Sequence, residues 1–576
     1  MAESKHDVVV VGAGGDGPAL AWKLGQYGLD VLVLEAGPWH GNEKWERPHE
    51  EPGATQSSDP ADLNGRLMDE QLNRREQATN DPVAGKLRVG PADRSRAPWF
   101  RNQPQNMFIW QVAAVGGTTI HYFGNHPRSY PLAIDEQGHW PIDYADLVPY
   151  YQLLEAELPV LPAPTTDKEA LFYHGAAEAG YELLDEKNVV AEGYRPQPNA
   201  IAHPDEKLRV ENNYEGDFTY PDVEGSTLSG HHFQGGSLPL DAPVREKARK
   251  SSNVSWVPRA LDTGNVTIRP NTFVTNVVTE GILGAPAATG FEYRDTWTGE
   301  TGTIDAEVVV MAGGCIETPR LWLNSDLPEN EWVGKGLTTH WFDWVVGVFD
   351  EEAIREAIGS DTVRPYVGQN SAARFDKPGV GGLESIGMSP ALSAFAHYAF
   401  SRAGYNFDTV VDDDAPWDTR GRLNDANLKR KMADYERTIG VLVLTDDLPR
   451  KNNGVELDPA FEDEHGPVPL VQWEPHPDDD EKRDELAEVA ADILRGAGAH
   501  HVHRSDWPPL LLHMQSSMRM GKVVDENCEA YDVDRLFVGD HSAMANGGGG
   551  PNPTHTGQAL ALRTADRIVE LYFSDR

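Results

Sequence analysis

The sequence predicts an α/β fold opening on a parallel sheet, and three observations near its start carry that prediction. Val8 to Val11 is an unbroken β-branched run, the pattern of a strand buried on both faces. Gly12, Gly14 and Gly17 follow it at the spacing G-x-G-x-x-G. A second apolar run, Val31 to Leu34, ends on an acid, Glu35. Between the two runs a helix is predicted over Pro18 to Tyr27, with Pro in its first turn and Gly28 to end it.

This strand, glycine loop, helix and strand form a dinucleotide-binding unit. The first glycine lets the chain turn sharply, the second lets backbone N–H groups approach a pyrophosphate, and the third lets the helix pack on the strand. Phosphate charge then meets the helix N-terminus. A carboxylate about 20 residues beyond the glycines can accept both hydroxyls of an adenosine ribose. Its charge disfavours a 2′-phosphate and so NADP, while FAD and NAD both stay open.

With 576 residues the chain exceeds one core, and two or more domains are expected. Its formal net charge of −41, from 91 acidic against 50 basic residues, repels nucleic acid and anionic membranes. Such a surface is also a device of halophilic proteins. Hydrophobic segments and tryptophans along the whole length argue against an acidic disordered chain. The two cysteines, Cys315 and Cys528, form no C-x-x-C, which removes zinc ribbons, thioredoxin-type chemistry and covalent c-type haem. MAESKHD leads straight into the first strand and no apolar run is long enough to cross a membrane, so a soluble cytoplasmic protein is expected.

From His40 to Pro98 the chain is polar and aperiodic, the pattern of an extended surface insertion. Order returns with QNMFIWQVAAVGGTTIHYFGNHPR, where Gly116 and Gly117 precede Thr118, Thr119 and His121; paired glycines let a flat ring or phosphate lie against the backbone. Asp143 in WPIDYADLVPYY is placed to cap a helix. Asn253 to Val278 reads as a helix end, a Gly-Asn turn and two short strands. Val308 to Met311 is a third buried strand, with Gly313-Gly314 opening a helix that carries Glu317 in its first turn. Thr438 to Leu444 reads as a strand, and Asp478 to Arg495 as a helix with acids at its start and Leu486, Val489 and Ile493 facing inward. Near the end come LLHMQSSMRMG around His513, a strand over Leu536 to Val538, and a four-glycine loop before Asn552-Pro553-Thr554.

Taken in order, these blocks resemble the glucose-methanol-choline (GMC) oxidoreductases, with GGTTIHY and the Asn-Pro-Thr ending closest to the gluconate dehydrogenase and pyranose oxidase branch. The resemblance implies a Rossmann-like FAD-binding domain built from residues 1–149, 235–341 and 501–576, with the polar insertion at 40–98. An α+β substrate domain with an antiparallel sheet would use 150–234 and 342–500. It also implies FAD bound by Gly12, Gly14, Gly17, Glu35, Gly116, Gly117, Thr118, Val274 (by its backbone, at the adenine), Gly313, Asp540, Pro553 and Thr554. His121 occupies the place where some members attach the flavin covalently; a histidyl bond and a free histidine near the ring both stand.

The implied reaction is oxidation of a CH–OH group of a sugar, sugar acid, polyol or other alcohol. His513 would take the hydroxyl proton, Asn552 would hydrogen-bond the oxygen, and hydride would pass to the flavin without a metal. The family pattern has a small hydroxyl residue and Met-Gly beyond the histidine, matched by Ser517, Met520 and Gly521. The electron acceptor is open, a separate cytochrome or small subunit included, since the chain has no haem motif. Rival readings are an NAD-linked dehydrogenase and a non-catalytic flavoprotein subunit of an electron-transfer complex. Two residues depart from the family pattern: Asp16 replaces an alanine beside the expected pyrophosphate, where it would repel phosphate or hold a cation, and His541 replaces a small residue.

Overall fold

The computed structural model describes residues 5–37, 39, 108–109, 111–120, 122–201, 249–281, 286–296, 298–365, 367–388, 390–399, 401–405 and 415–574. The polar stretch 40–98 and His121 lie outside the described residues. Among the described residues no helix is long and apolar enough to cross a membrane.

Two seven-stranded sheets carry the fold. In the first, Val266–Arg269, Val31–Leu34, His6–Val11 and the end of Thr301–Met311 run parallel, and Leu536–Val538 pairs beyond. Val9 sits between Leu32 and Val309, and Val8, Val9 and Val10 are fully buried. Successive buried positions demand successive apolar residues, which is why this strand is a valine run. The start of Thr301–Met311 leaves the parallel part and pairs antiparallel with Ala287–Asp295, itself paired with Thr272–Glu280. The helix Gly17–Gln26 packs against the last helix, Thr554–Tyr572, so the two ends of the chain meet behind this sheet.

The second sheet runs Thr419–Arg420, His501–Arg504, Phe342–Val348, Thr438–Thr445, Gly381–Ile386, Ser371–Lys377 and Gly193–Pro196, antiparallel at every pair but the first. The helix Pro477–Gly496 covers one face with Leu486, Val489 and Ile493, and opens on three aspartates that suit its positive end. Beneath it Asp343 is held by Arg483 at 3.0 Å and Arg504 at 2.6 Å, so this buried carboxylate is charge-paired. Asp143 begins Tyr144–Glu157 with a reciprocal capping box through Asp146, as the sequence predicts. The architecture is the predicted one: a Rossmann-like parallel sheet assembled from distant segments beside an antiparallel sheet.

Candidate active site

A cavity of about 410 Å³ is lined by residues of both sheets. Every described residue the sequence singles out for cofactor or catalysis lines it, except Gly17 and Gly116. Those two shape its wall instead. A Cβ on Gly17 would lie 2.1 Å from the Gly12 carbonyl oxygen, and the Gly116 N–H donates to the Ala13 carbonyl at 2.7 Å. Gly12 has φ +109° and a Cβ there would lie 2.2 Å from the Ala312 oxygen, so it lets two strand ends cross. Gly14 differs. Its Cβ would have no neighbour nearer than the Gly117 Cα at 4.0 Å, which leaves its backbone bare toward the cavity.

Glu35, at the end of its strand, accepts from the Ala13 N–H at 2.9 Å and the Gly37 N–H at 2.8 Å. Burial pushes it up to about 7, against the pull of those donors. Asp540 accepts from the Gly314 N–H at 2.8 Å and the Thr318 hydroxyl at 2.6 Å, fastening the start of Gly314–Asn324 to the C-terminal segment. The two departures noted in the sequence are partners: the His541 ring Nδ1 pairs with Asp16 Oδ2, and the His541 N–H donates to the same oxygen at 3.2 Å. Burial works against the imidazolium, but Asp16 outweighs it and raises His541 above its usual value. Asp16 is thereby paired with a basic group of the chain itself. Cys315 also lines the cavity, and burial pushes its thiol far up, which leaves it a small apolar wall residue.

His513 follows the short strand Leu510–Leu511 and Asn552 precedes the last helix, and the fold brings them together: Asn552 Nδ2 lies 3.4 Å from His513 Nε2. The opposite nitrogen, His513 Nδ1, lies 3.0 Å from His340 Nδ1, and His340 Nε2 lies 2.9 Å from the Gly547 carbonyl oxygen. This chain fixes the protons. A carbonyl only accepts, so His340 carries its proton on Nε2 and accepts at Nδ1; His513 then donates from Nδ1, which leaves the Nε2 lone pair toward Asn552. The Asn552 amide agrees, because its Oδ1 faces two donors, Gln197 Nε2 at 3.3 Å and Arg374 Nη1 at 3.5 Å. Burial, then the neighbouring His340, His541 and Arg374, hold His513 well below the usual imidazole value. Burial lowers His340 to about 4. Both rings are neutral at pH 7.

Beside this pair stands Glu384, from the strand Gly381–Ile386, fully buried and part of the cavity wall. Asn125 Nδ2 donates to both its oxygens at 3.1 and 3.0 Å, and Gln197 Nε2 to one at 3.2 Å. Burial raises Glu384 while Arg374, 3.9 Å away, draws it back. Sequence reasoning passes over His340, Glu384, Asn125, Gln197 and Arg374. His340 stands in VGKGLTTH, but nothing local marks its partner; Asn125 lies eight residues past the paired glycines without a mark of its own, and Gln197, Arg374 and Glu384 lie in segments with no nucleotide signal, brought to the site only by the folding of the second sheet.

Fold and site together define an oxidoreductase of the dinucleotide-binding class, with the His513 and Asn552 pair and the bare glycine loop lining one cavity. Two family models described as GMC oxidoreductase match residues 219–342 and 449–561. The chain is 28% identical over 615 residues to a 2-methyl-1,2-propanediol dehydrogenase of Mycolicibacterium austroafricanum, covering 99% of this chain and 96% of the relative. It is 24% identical to a 6'''-hydroxyparomomycin C oxidase of Streptomyces lividus, covering 100% and 93%. A solved formate oxidase of Aspergillus oryzae RIB40 shares the fold over 100% of both chains, at a TM-score of 0.58 and 13% identity. The chain thus matches GMC oxidoreductase models in two separate segments, and it is an FAD-dependent oxidoreductase acting on CH–OH donors.

Proposed function

We propose that the protein oxidises a CH–OH group of a sugar, sugar acid, polyol or other alcohol, with His513 taking the hydroxyl proton. The observation that carries this reading is the neutral His513, its Nε2 lone pair turned to the cavity beside Asn552. The residues present fit FAD. Gly14 offers bare backbone for a pyrophosphate, Glu35 stands ready for the ribose, and Val274 lines the expected adenine end. Pro553 and Thr554 set the positive end of the last helix at the cavity, where negative charge is favoured. When bound, FAD supplies the hydride acceptor.

The chain's own residues then do the following. The alcohol hydroxyl replaces the long 3.4 Å contact between Asn552 and His513. His513 Nε2 accepts its proton, as a neutral imidazole can. Asn552 Nδ2, held in orientation by Gln197 and Arg374, donates to the oxygen as negative charge builds there. His340 keeps the His513 proton on Nδ1 and so keeps the reactive nitrogen free. In this reading residues 1–149, 235–341 and 501–576 serve the cofactor, and 150–234 and 342–500 the substrate.

The test is the anaerobic visible spectrum of the FAD-loaded protein in high salt, before and after a panel of sugars, sugar acids and alcohols. Bleaching by one class is expected. A flavin that no member of the panel reduces would sink the reading, and turnover that requires added NAD would select the NAD-linked rival. Acid precipitation of the same sample decides the role of His121: colour in the pellet means a histidyl bond, colour in the supernatant a free cofactor.

A further inference from the structure

The cavity is lined, among the described residues, by six side chains of full charge type. Five of them, Asp16, Glu35, Glu317, Arg320 and Asp540, belong to elements of the first sheet and its helices. Glu384 alone comes from the second sheet, where its neighbours in the wall are the apolar Phe342 and Leu442. Its carboxylate accepts from the Asn125 amide on both oxygens and from Gln197 Nε2 on one, with the Ser371 hydroxyl also hydrogen-bonded to it and the Arg374 guanidinium behind. These donors and the guanidinium favour the carboxylate form, against the burial that raises the group. Arg374 does not line the cavity and is also paired with Asp376 at 2.6 Å. What the second sheet presents to the cavity is therefore one carboxyl group, surrounded by donors, against an apolar wall.

Gln197 connects that group to catalysis. Its Nε2 bridges Glu384 Oε1 at 3.2 Å and Asn552 Oδ1 at 3.3 Å, so a substrate whose carbinol reaches His513 and Asn552 brings its neighbouring carbons to Glu384. We propose that Glu384 selects substrate by charge, accepting hydrogen bonds from a second hydroxyl or an ammonium group next to the oxidised carbinol and rejecting a carboxylate there. The substrate class is thereby narrowed to neutral and cationic polyols, with sugar acids excluded. The inference rests on His513 and Asn552 being the reacting pair.

Two charge series test it, each holding the carbon frame nearly constant: propane-1,2-diol, 1-aminopropan-2-ol and lactate, and the open-chain glucitol, 1-amino-1-deoxyglucitol and gluconate. Anaerobic flavin reduction by the FAD-loaded protein at pH 7 gives kcat/KM for each. The amine and the neutral member of the reactive series are expected to exceed the acid by roughly 10- to 100-fold, the scale of one like-charge contact at intermediate dielectric. In Glu384→Gln the acid should gain and the amine lose, so that the order flattens; Glu384→Asp should keep the order. Should Glu384→Gln fail to fold, the order in the unaltered protein and in Glu384→Asp decides. Fastest reduction by the acid, or an order unchanged in Glu384→Gln, would overturn the role of Glu384 and leave alcohol oxidation standing. Reduction by no member of either series would remove the oxidation reading and this inference with it.

Discussion

A histidine that takes a proton from an alcohol must be unprotonated, and burial secures that for His513 before any substrate arrives. The sign fixes the pH profile. A lowered value moves the protonated, inactive form to acid, so kcat/KM should be flat from about pH 6.5 upward and fall only below it. An acid limb centred above pH 6.5 would contradict the assignment. His513→Ala should lose about 10²- to 10⁴-fold in kcat, the usual share of a general base, with the flavin absorbance kept. His340 acts through His513 as a positioning residue. His340→Leu removes the acceptor of the Nδ1 proton, so a loss of about 10- to 100-fold is expected, together with a changed pH profile. The Asp16 and His541 pair is tested by a double-mutant cycle in thermal unfolding. Asp16→Ala and His541→Ser each strand a buried or half-buried charge, so the double variant should cost less than the sum, with a coupling of about 1–3 kcal/mol. Strict additivity would mean that the pair does nothing for stability.

The glycine loop separates residues that build the element from those that serve a ligand. Gly12→Ala places a Cβ 2.2 Å from the Ala312 oxygen at a φ of +109°, so both folding and FAD binding should fail. Gly14→Ala meets nothing nearer than 4.0 Å in the protein, so the apoprotein should melt unchanged while FAD binds at least tenfold more weakly. Equal melting losses in both variants would refute the distinction. This loop was legible in the sequence because its signal is local: a β-branched run, three glycines and an acid sit within one βαβ unit. The helix Pro477–Gly496 was legible for the same reason, its period and capping acids lying in one segment. The wall around Glu384 was not. Asn125, Gln197, Arg374, Glu384 and Asn552 come from five separate elements or loops, and their hydrogen bonds exist only once the second sheet is in register. The pairing of Asp16 with His541 was half visible, as two departures, but a sequence separation of 525 conceals the contact.

Across the whole molecule the acidic excess must be reconciled with a cofactor that itself carries phosphate. A net charge of −41 repels itself and repels a pyrophosphate, and neither force is confined to one contact. Salt separates these long-range forces from the buried pairs. The screening length shrinks from about 10 Å at 0.1 M to about 3 Å at 1 M, while the Asp343 pairs with Arg483 and Arg504 are enclosed and barely screened. Raising KCl from 0.1 to 2 M should therefore raise the melting temperature of the apoprotein, and tighten FAD binding further on top of that gain. Sucrose gives the control, since it favours burial without screening charge. If sucrose matches KCl in both readouts, self-repulsion is not what limits the protein. If KCl alone tightens FAD, the protein's acidic surface governs its cofactor at a distance, and Asp16 needs a basic partner within the chain, His541, because an acid buried beside the glycine loop is the one bulk salt screens least.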